Sequence, residues 1–398
     1  MPTWGWIALV GVVAAGVGGA VALSGDDDND SVVSATTVLV PDDWTVSSEL
    51  VITAPETEAT TEATEAPVAT DPPASDTTII APPASSDVVT GAPPGITGDR
   101  DNPVPLGLVA DIGAGWRLQV LEVLPDGAAA VAAENEFNEP PPAGSTFTLV
   151  KVALGYYGLN DPISAFQPTI SAVGASNLEL ESFCGTLPNE LDLFVDVFSG
   201  GVVVGNLCFV TTTPDATSLQ LYAVGDYFES DEVFLRANGT ATGVDPMATL
   251  TGPQAGAVST PARLSPTTLS TAVDVGAGWS MTVTGAARDI TDLVMAENQF
   301  NEPAPAGFRF IGVDVTYAYS GTEPTAAYQV TTKAVGEGNV ELQAGCGVIS
   351  GEIDIFTDVF AGGTVAGTIC FVVPSANPSM IVYASADFDT SPVMFAVS

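Results

Sequence analysis

The chain has 398 residues, 48 acidic and 8 basic side chains, no histidine and a net charge of -40 at pH 7. The acidic share is ordinary; the shortage of Lys and Arg sets the charge and removes the means of neutralising nucleic-acid phosphates or an anionic membrane surface. Without histidine, Ser-His-Asp and Cys-His catalysis and His-ligated metal sites are excluded.

In chain order, Trp4 to Leu23 is an uncharged apolar run long enough to cross a bilayer as a helix. Residues 1–23 therefore read as a transmembrane or signal segment. An uncleaved anchor places the C-terminal remainder outside the cell membrane, and Ala20-Val21-Ala22 offers the alternative of cleavage and secretion. No Lys or Arg precedes Arg100, so basic residues of an upstream start are a further alternative. Residues 24–103 are rich in Thr, Glu, Asp and Pro and read as a disordered stalk, because such a composition cannot bury enough apolar surface to offset its ordering entropy.

Residues 111–236 and 274–398 are one unit written twice. Asp111-Ile112-Gly113-Ala114-Gly115-Trp116 returns as Asp274-Val275-Gly276-Ala277-Gly278-Trp279. Glu134-Asn135-Glu136-Phe137-Asn138-Glu139-Pro140 returns as Glu297-Asn298-Gln299-Phe300-Asn301-Glu302-Pro303. Trp116, Leu118 and Val120 alternate with Arg117 and Gln119, and Val313, Val315, Tyr317 and Tyr319 alternate with Asp314 and Thr316. That period of two predicts half-buried strands with one wet face. Residues 173–178 and 335–340 read as hairpin turns, and Gly200-Gly201 and Gly362-Gly363 as tight reversals. Seven or eight short strands per repeat and no convincing amphipathic helix predict an all-β chain of two tandem Ig-like antiparallel β-sandwiches. The domains fall at 104–237 and 268–398. Residues 238–267 are a second linker that leaves two beads on a string unless an interface forms.

Cys184 and Cys208 are 24 residues apart, as are Cys346 and Cys370. Of the three possible pairings only Cys184–Cys208 with Cys346–Cys370 is the same in both repeats. Each disulfide closes a loop worth roughly 3.5 kcal/mol in the chain-entropy model, and paired thiols fit an oxidising compartment.

Glu-Asn-x-Phe-Asn-Glu-Pro, then Pro-Ala-Gly before a strand, then Gly-Gly-x-Val-x-Gly-x-x-Cys-Phe-Val, resembles a family of extracytoplasmic β-sandwich domains of unknown function from actinobacteria and other Gram-positive bacteria. That family is similar in fold to a secreted immunoprotective antigen of mycobacteria. The resemblance covers both repeats and implies an Ig-like sandwich displayed outside the cell. It carries over no catalytic residue.

Within the chain, no Lys or Arg holds an equivalent place in both repeats, so a shared activity has carboxylates, amides, hydroxyls and backbone to work with. Two acidic clusters recur. Glu134, Asn138 and Glu139, with Glu297, Asn301 and Glu302, form oxygen-rich loops of the kind that suits Ca²⁺; the other reading is a turn in which Phe137 plugs the core and Pro140 to Pro142 end the strand. Glu190, Asp192 and Asp196, with Glu352, Asp354 and Asp358, share one face if the segment is a strand, the first two about 7 Å apart, a separation used in glycoside hydrolysis. Phe194 and Phe198 have the same parity, which predicts a bulge. The expected function is a non-enzymatic cell-surface binding or adhesion module whose partner is an envelope protein or polysaccharide. A structural or sensory ectodomain tuned by a divalent cation is the alternative, and a carboxylate-based glycan hydrolase a third.

Overall fold

A computed structural model of the protein describes residues 87–228, 231–239, 243–387 and 391–398. The apolar run at 4–23 and the stalk up to residue 86 lie outside the described residues. Among the described residues no helix is long and apolar enough to cross a membrane.

Each repeat begins with the same hairpin. In repeat 1, β1 (Val109–Gly113) pairs antiparallel with β2 (Trp116–Leu124). The turn between them needs left-handed backbone at Gly113, Ala114 and Gly115, with φ of 91°, 49° and 82°, which explains why two glycines flank the alanine. β2 pairs with β3 (Thr146–Tyr156), and after β4 (Ile163–Ser164), β5 (Thr169–Val173) and β6 (Asp196–Val197) the sheet is completed by β7 (Gly201–Thr211), in the order β1-β2-β3-β7. β8 (Gln220–Val224) and β9 (Val233–Arg236) form the opposing sheet, β5-β8-β9, and β4 pairs with β6. Repeat 2 builds the same frame from β10 (Val273–Gly276), β11 (Trp279–Val283), β12 (Arg288–Asp289), β13 (Phe308–Tyr319), β14 (Thr325–Ala326), β15 (Thr331–Gly336), β16 (Asp358–Val359), β17 (Thr364–Pro374), β18 (Met380–Ser385) and β19 (Val393–Phe395). Its sheets are β10-β11-β13 with β17 and β12 on β13, β15-β18-β19, and the β14-β16 pair. The described residues are all-β in class, two antiparallel sandwiches in tandem.

Inward side chains of both sheets fill each core. Trp116 and Trp279 are fully buried and lie 4.9 Å and 4.8 Å from Tyr156 and Tyr319, centroid to centroid. Short helices that the periodicity did not predict also occur: α1 (Ala128–Glu134), α2 (Thr213–Ser218), α3 (Thr260–Leu264) and α4 (Thr291–Glu297). At five to seven residues they are too short to show a period of 3.6, and tertiary packing holds them.

The outer face of repeat 1 is not wet. Arg117 and Gln119, expected on the solvent side of β2, are both 5% exposed. The segments read as linkers cover them. Gln119 donates to the Gly107 and Asp245 carbonyls and accepts from the Met247 amide, while Val89, Tyr157, Met247 and Ala257 form a small apolar cluster there. Residues 87–103 and 243–257 therefore belong to the folded body. Repeat 2 keeps the alternation, with Ser280 and Thr282 half-buried between buried neighbours.

The same segments place two arginines at equivalent positions, which corrects the expectation that no base is shared. Val104 bridges Leu235 in repeat 1 as Thr267 bridges Phe395 in repeat 2. That register aligns Arg100-x-x-Pro103-x-x-Leu106 with Arg263-x-x-Pro266-x-x-Leu269.

The two repeats also meet in a defined joint. Val197 of β6 bridges Val340 of repeat 2. The Phe198 amide donates to the Asn339 carbonyl and the Glu341 amide to the Asp196 carbonyl, each at 2.8 Å. Phe198 is fully buried against Val335, Tyr383 and Met394. It meets Tyr383 edge-on at 5.4 Å, and the Arg263 guanidinium lies 4.8 Å from its ring centre. Beside this apolar plug, Lys333 Nζ sits 3.0 Å from Asp196 Oδ2 and 2.9 Å from Glu341 Oε2, and the Tyr383 hydroxyl donates to Asp196 at 2.9 Å. Burial works against the Lys333 charge, but the bond to Glu341 and the Asp196 charge outweigh it and hold its pKa above the ordinary lysine value. Burial pushes the Glu341 carboxyl up and, with the neighbouring carboxylates, pushes the Tyr383 hydroxyl far up. The linker closes the joint. Asn339 donates to the Leu250 and Gly252 carbonyls at 2.7 Å and 2.8 Å, and the Asp161 carboxylate accepts from the Ser199 and Ser259 amides.

Candidate functional site

The Glu-Asn-x-Phe-Asn-Glu-Pro loops follow α1 and α4, and their two asparagines divide the work. Asn135 caps the C-terminus of α1 with extended backbone, and its side-chain oxygen accepts the Phe137 amide at 3.0 Å. Asn298 does the same for Phe300. Asn138 is a clamp. Its amide donates to the Val131 and Thr186 carbonyls, and its oxygen accepts the Thr186 amide at 2.9 Å. Asn301 repeats this with Val294 and Val348. Each clamp ties the helix end to the loop after a cysteine, and the disulfides Cys184–Cys208 and Cys346–Cys370 fasten that loop to β7 and β17. Gly185 and Gly347 follow the cysteines because a Cβ there would collide with the Asn138 or Asn301 carboxamide, and both have positive φ.

This arrangement alters two expectations. Phe137 does not plug the core: it is 84% exposed, and Phe300 is 81% exposed. The oxygens of Asn138 and Asn301 are taken by backbone amides, and Glu134, Glu139, Glu297 and Glu302 all stand in solvent. Among the described residues no group of three or more His, Cys, Asp or Glu side chains could hold a metal ion. Ca²⁺ takes six to eight oxygens, and the Asn138 and Asn301 side-chain oxygens are already engaged by the Thr186 and Val348 amides.

The second acidic cluster is dispersed as well. Residues 191–195 are irregular, so Glu190, Asp192 and Asp196 share no strand face. Glu190 bridges Asn206, Asp196 belongs to the joint, and Asp192 turns back to accept the Phe194 amide at 2.9 Å. Asp354 accepts the Phe356 amide likewise at 3.1 Å. Glu190 and Asp192 therefore do not stand as a pair on one strand face.

What the two clusters have in common was not predicted. In each, an Asn or Asp caps the amide of a phenylalanine two residues on and turns its ring outward. Phe194 is 84% and Phe356 79% exposed. Asp226 and Phe228 make a fifth such turn, with Phe228 90% exposed. The rings have aromatic company. Phe166 stacks on Phe194 at 5.9 Å, and Tyr328, its counterpart in repeat 2, lines one open groove with Glu352, Asp354 and Phe356. A second groove in repeat 1 holds Phe137, Phe183, Glu139, Glu181 and Glu190. At these five places the sequence reads Asn-Glu-Phe, Asn-Gln-Phe, Asp-Leu-Phe, Asp-Ile-Phe and Asp-Tyr-Phe, but Asp196-Val197-Phe198 has the same spacing with its ring buried, so the pattern alone does not mark an outward ring.

No family model matches the chain, and no curated protein matches it.

Proposed function

We propose that the protein is a non-enzymatic binding module of the cell envelope, with an envelope protein or polysaccharide as its partner. The observation that carries this reading is the set of outward phenylalanines, four of which occupy equivalent places in the two repeats. Burying an exposed Phe ring contributes about 1.5–3 kcal/mol, so an exposed ring held up by a dedicated turn is a contact surface in waiting. The neighbouring carboxylates give each patch an acidic rim suited to hydroxyl or amide donors. Two copies on one chain bind a repetitive partner with avidity. The two disulfides support an oxidising, extracytoplasmic compartment, in keeping with the resemblance to the actinobacterial β-sandwich family and with an N-terminal membrane segment.

The test is capture of the full chain by isolated envelope, separated into protein and polysaccharide fractions. One fraction should retain the wild type, and Phe137, Phe300, Phe194 and Phe356 all replaced by Ser should weaken retention at least about tenfold. Equal retention of the quadruple variant, or no retention of the wild type by either fraction, contradicts the reading.

A further inference from the structure

The joint between the repeats is made of two different faces, a plug on repeat 1 and a socket on repeat 2. Because the repeats are copies, each face exists twice, and one copy of each is open. The open plug is Asp358-Val359-Phe360 of β16 and the residue after it, in register with Asp196-Val197-Phe198. Phe198 is fully buried, whereas Phe360 is 65% exposed. The open socket is the sheet face of repeat 1. There Tyr222 stands for Tyr383, Phe234 for Met394, Leu178 for Val340, Asn177 for Asn339 and Glu179 for Glu341, by the paired registers of β5 with β8 and β15 with β18. Leu178 is 70% exposed, Asn177 and Arg100 are exposed, and Tyr222 and Phe234 are half-buried and stacked at 5.7 Å. Arg100 occupies the place of Arg263, which lies over the Phe198 ring.

We propose that the Asp358–Phe360 plug of one chain docks into the Tyr222, Phe234 and Arg100 socket of a second copy, so that chains associate head to tail through a repetition of their own internal joint. The molecule itself shows what covers each face. The backbone turn that offers the Asn339 carbonyl is retained at Asn177, with φ of 60° and 57°, and valine and phenylalanine are retained in the plug. Two elements differ: the Asn177 side chain accepts from Arg100 at 2.6 Å where Asn339 donates to the linker carbonyls of Leu250 and Gly252, and Lys333 is replaced by Ser171, which hydrogen-bonds Glu179 instead. Asp358 therefore lacks the cation that Lys333 gives Asp196, Arg100 keeps the place that Arg263 holds over the phenylalanine ring, and the contact between chains is weaker than the joint within one. A contact between two different faces does not close on itself, so it propagates as a chain of molecules rather than stopping at a symmetric dimer. Of the outward rings, Phe194 lines a groove with Val340 and Glu341 at the edge of the internal joint, so Phe356 holds the matching place beside the open plug; Phe360 and Tyr222, on which the proposal is tested, are not among the five outward rings.

Sedimentation velocity of the full chain, non-reduced, from about 10 µM to 1 mM, reads an association of that strength. The wild type should grow beyond dimers with concentration, and Ser171→Lys should shift the growth to lower concentration. Phe360→Ala and Tyr222→Ala should each remain monomeric. Mixed, they should form dimers and nothing larger, since the first keeps its socket and the second its plug. A wild type that stays monomeric across this range, association that persists in Phe360→Ala, or a mixture that stays monomeric overturns the proposal.

Discussion

Phe198 and Phe360 are the same residue of the same unit, and one is fully buried while the other is 65% exposed. The difference is not in the strand, the turn or the glycines after it, which both repeats have. It lies in what stands opposite. Phe198 faces Tyr383, Met394 and Arg263, and its backbone is bonded to the neighbouring repeat. The comparison teaches that a repeat can carry an interface as part of its fold and use it only where a complementary copy is within reach.

The largest effect that sharpens the contrast is truncation of the ring. Phe198→Ala empties a filled site and should destabilise by about 3–5 kcal/mol. Phe360→Ala, at an exposed position, should stay within about 0.5 kcal/mol. Denaturant unfolding of the two variants beside the wild type measures both, and equal losses would mean that Phe198 contributes no packing across the joint.

A smaller effect checks that the repeats are otherwise alike. Asn138→Ala and Asn301→Ala each leave backbone groups of a disulfide loop without their partner, at a cost of about 1–3 kcal/mol. The two should lose the same amount, because the three hydrogen bonds are the same. A loss confined to one would show that the clamps are not equivalent.

The smallest effect is one of pH. Lys333 holds its proton more tightly in the folded state than the ordinary value of 10.5. Its contribution is whole below that pH and is lost as the pH rises through the raised folded value. Wild-type stability should therefore fall on the alkaline side of 10.5, and Lys333→Met should lose that component of the fall. A variant with an unchanged alkaline profile would show that the Asp196–Lys333–Glu341 contact contributes nothing there.

Much of the fold was legible in the sequence, and for physical reasons. Strand periodicity gave the sandwiches because Trp116, Leu118 and Val120 and their counterparts must face one way. Repetition gave the disulfides, since only one pairing serves both copies. Periodicity could not say what covers the other face of β2: the groups that satisfy Gln119 come from Gly107 and from Asp245 and Met247, far along a segment whose composition reads as linker. The shared Arg-x-x-Pro-x-x-Leu was present without a gap, but it lies ahead of the matched units, in stretches that otherwise differ. The candidate site was legible only as two clusters of acids. Their meaning changed because Asn135, Asn298, Asp192 and Asp354 spend their oxygens on phenylalanine amides, and a residue in such a turn belongs to no strand whose parity would reveal where its ring points.

Hydrogen exchange at four backbone amides reads out whether the two repeats are joined. Phe198 and Glu341 donate across the joint; Phe360 and Glu179 are their counterparts on the open faces. In dilute full chain, where molecules are separate, the first two should exchange orders of magnitude more slowly than the second two, since opening them requires parting the repeats. Equal, fast exchange at all four would mean that the repeats move independently and that no joint exists to be copied.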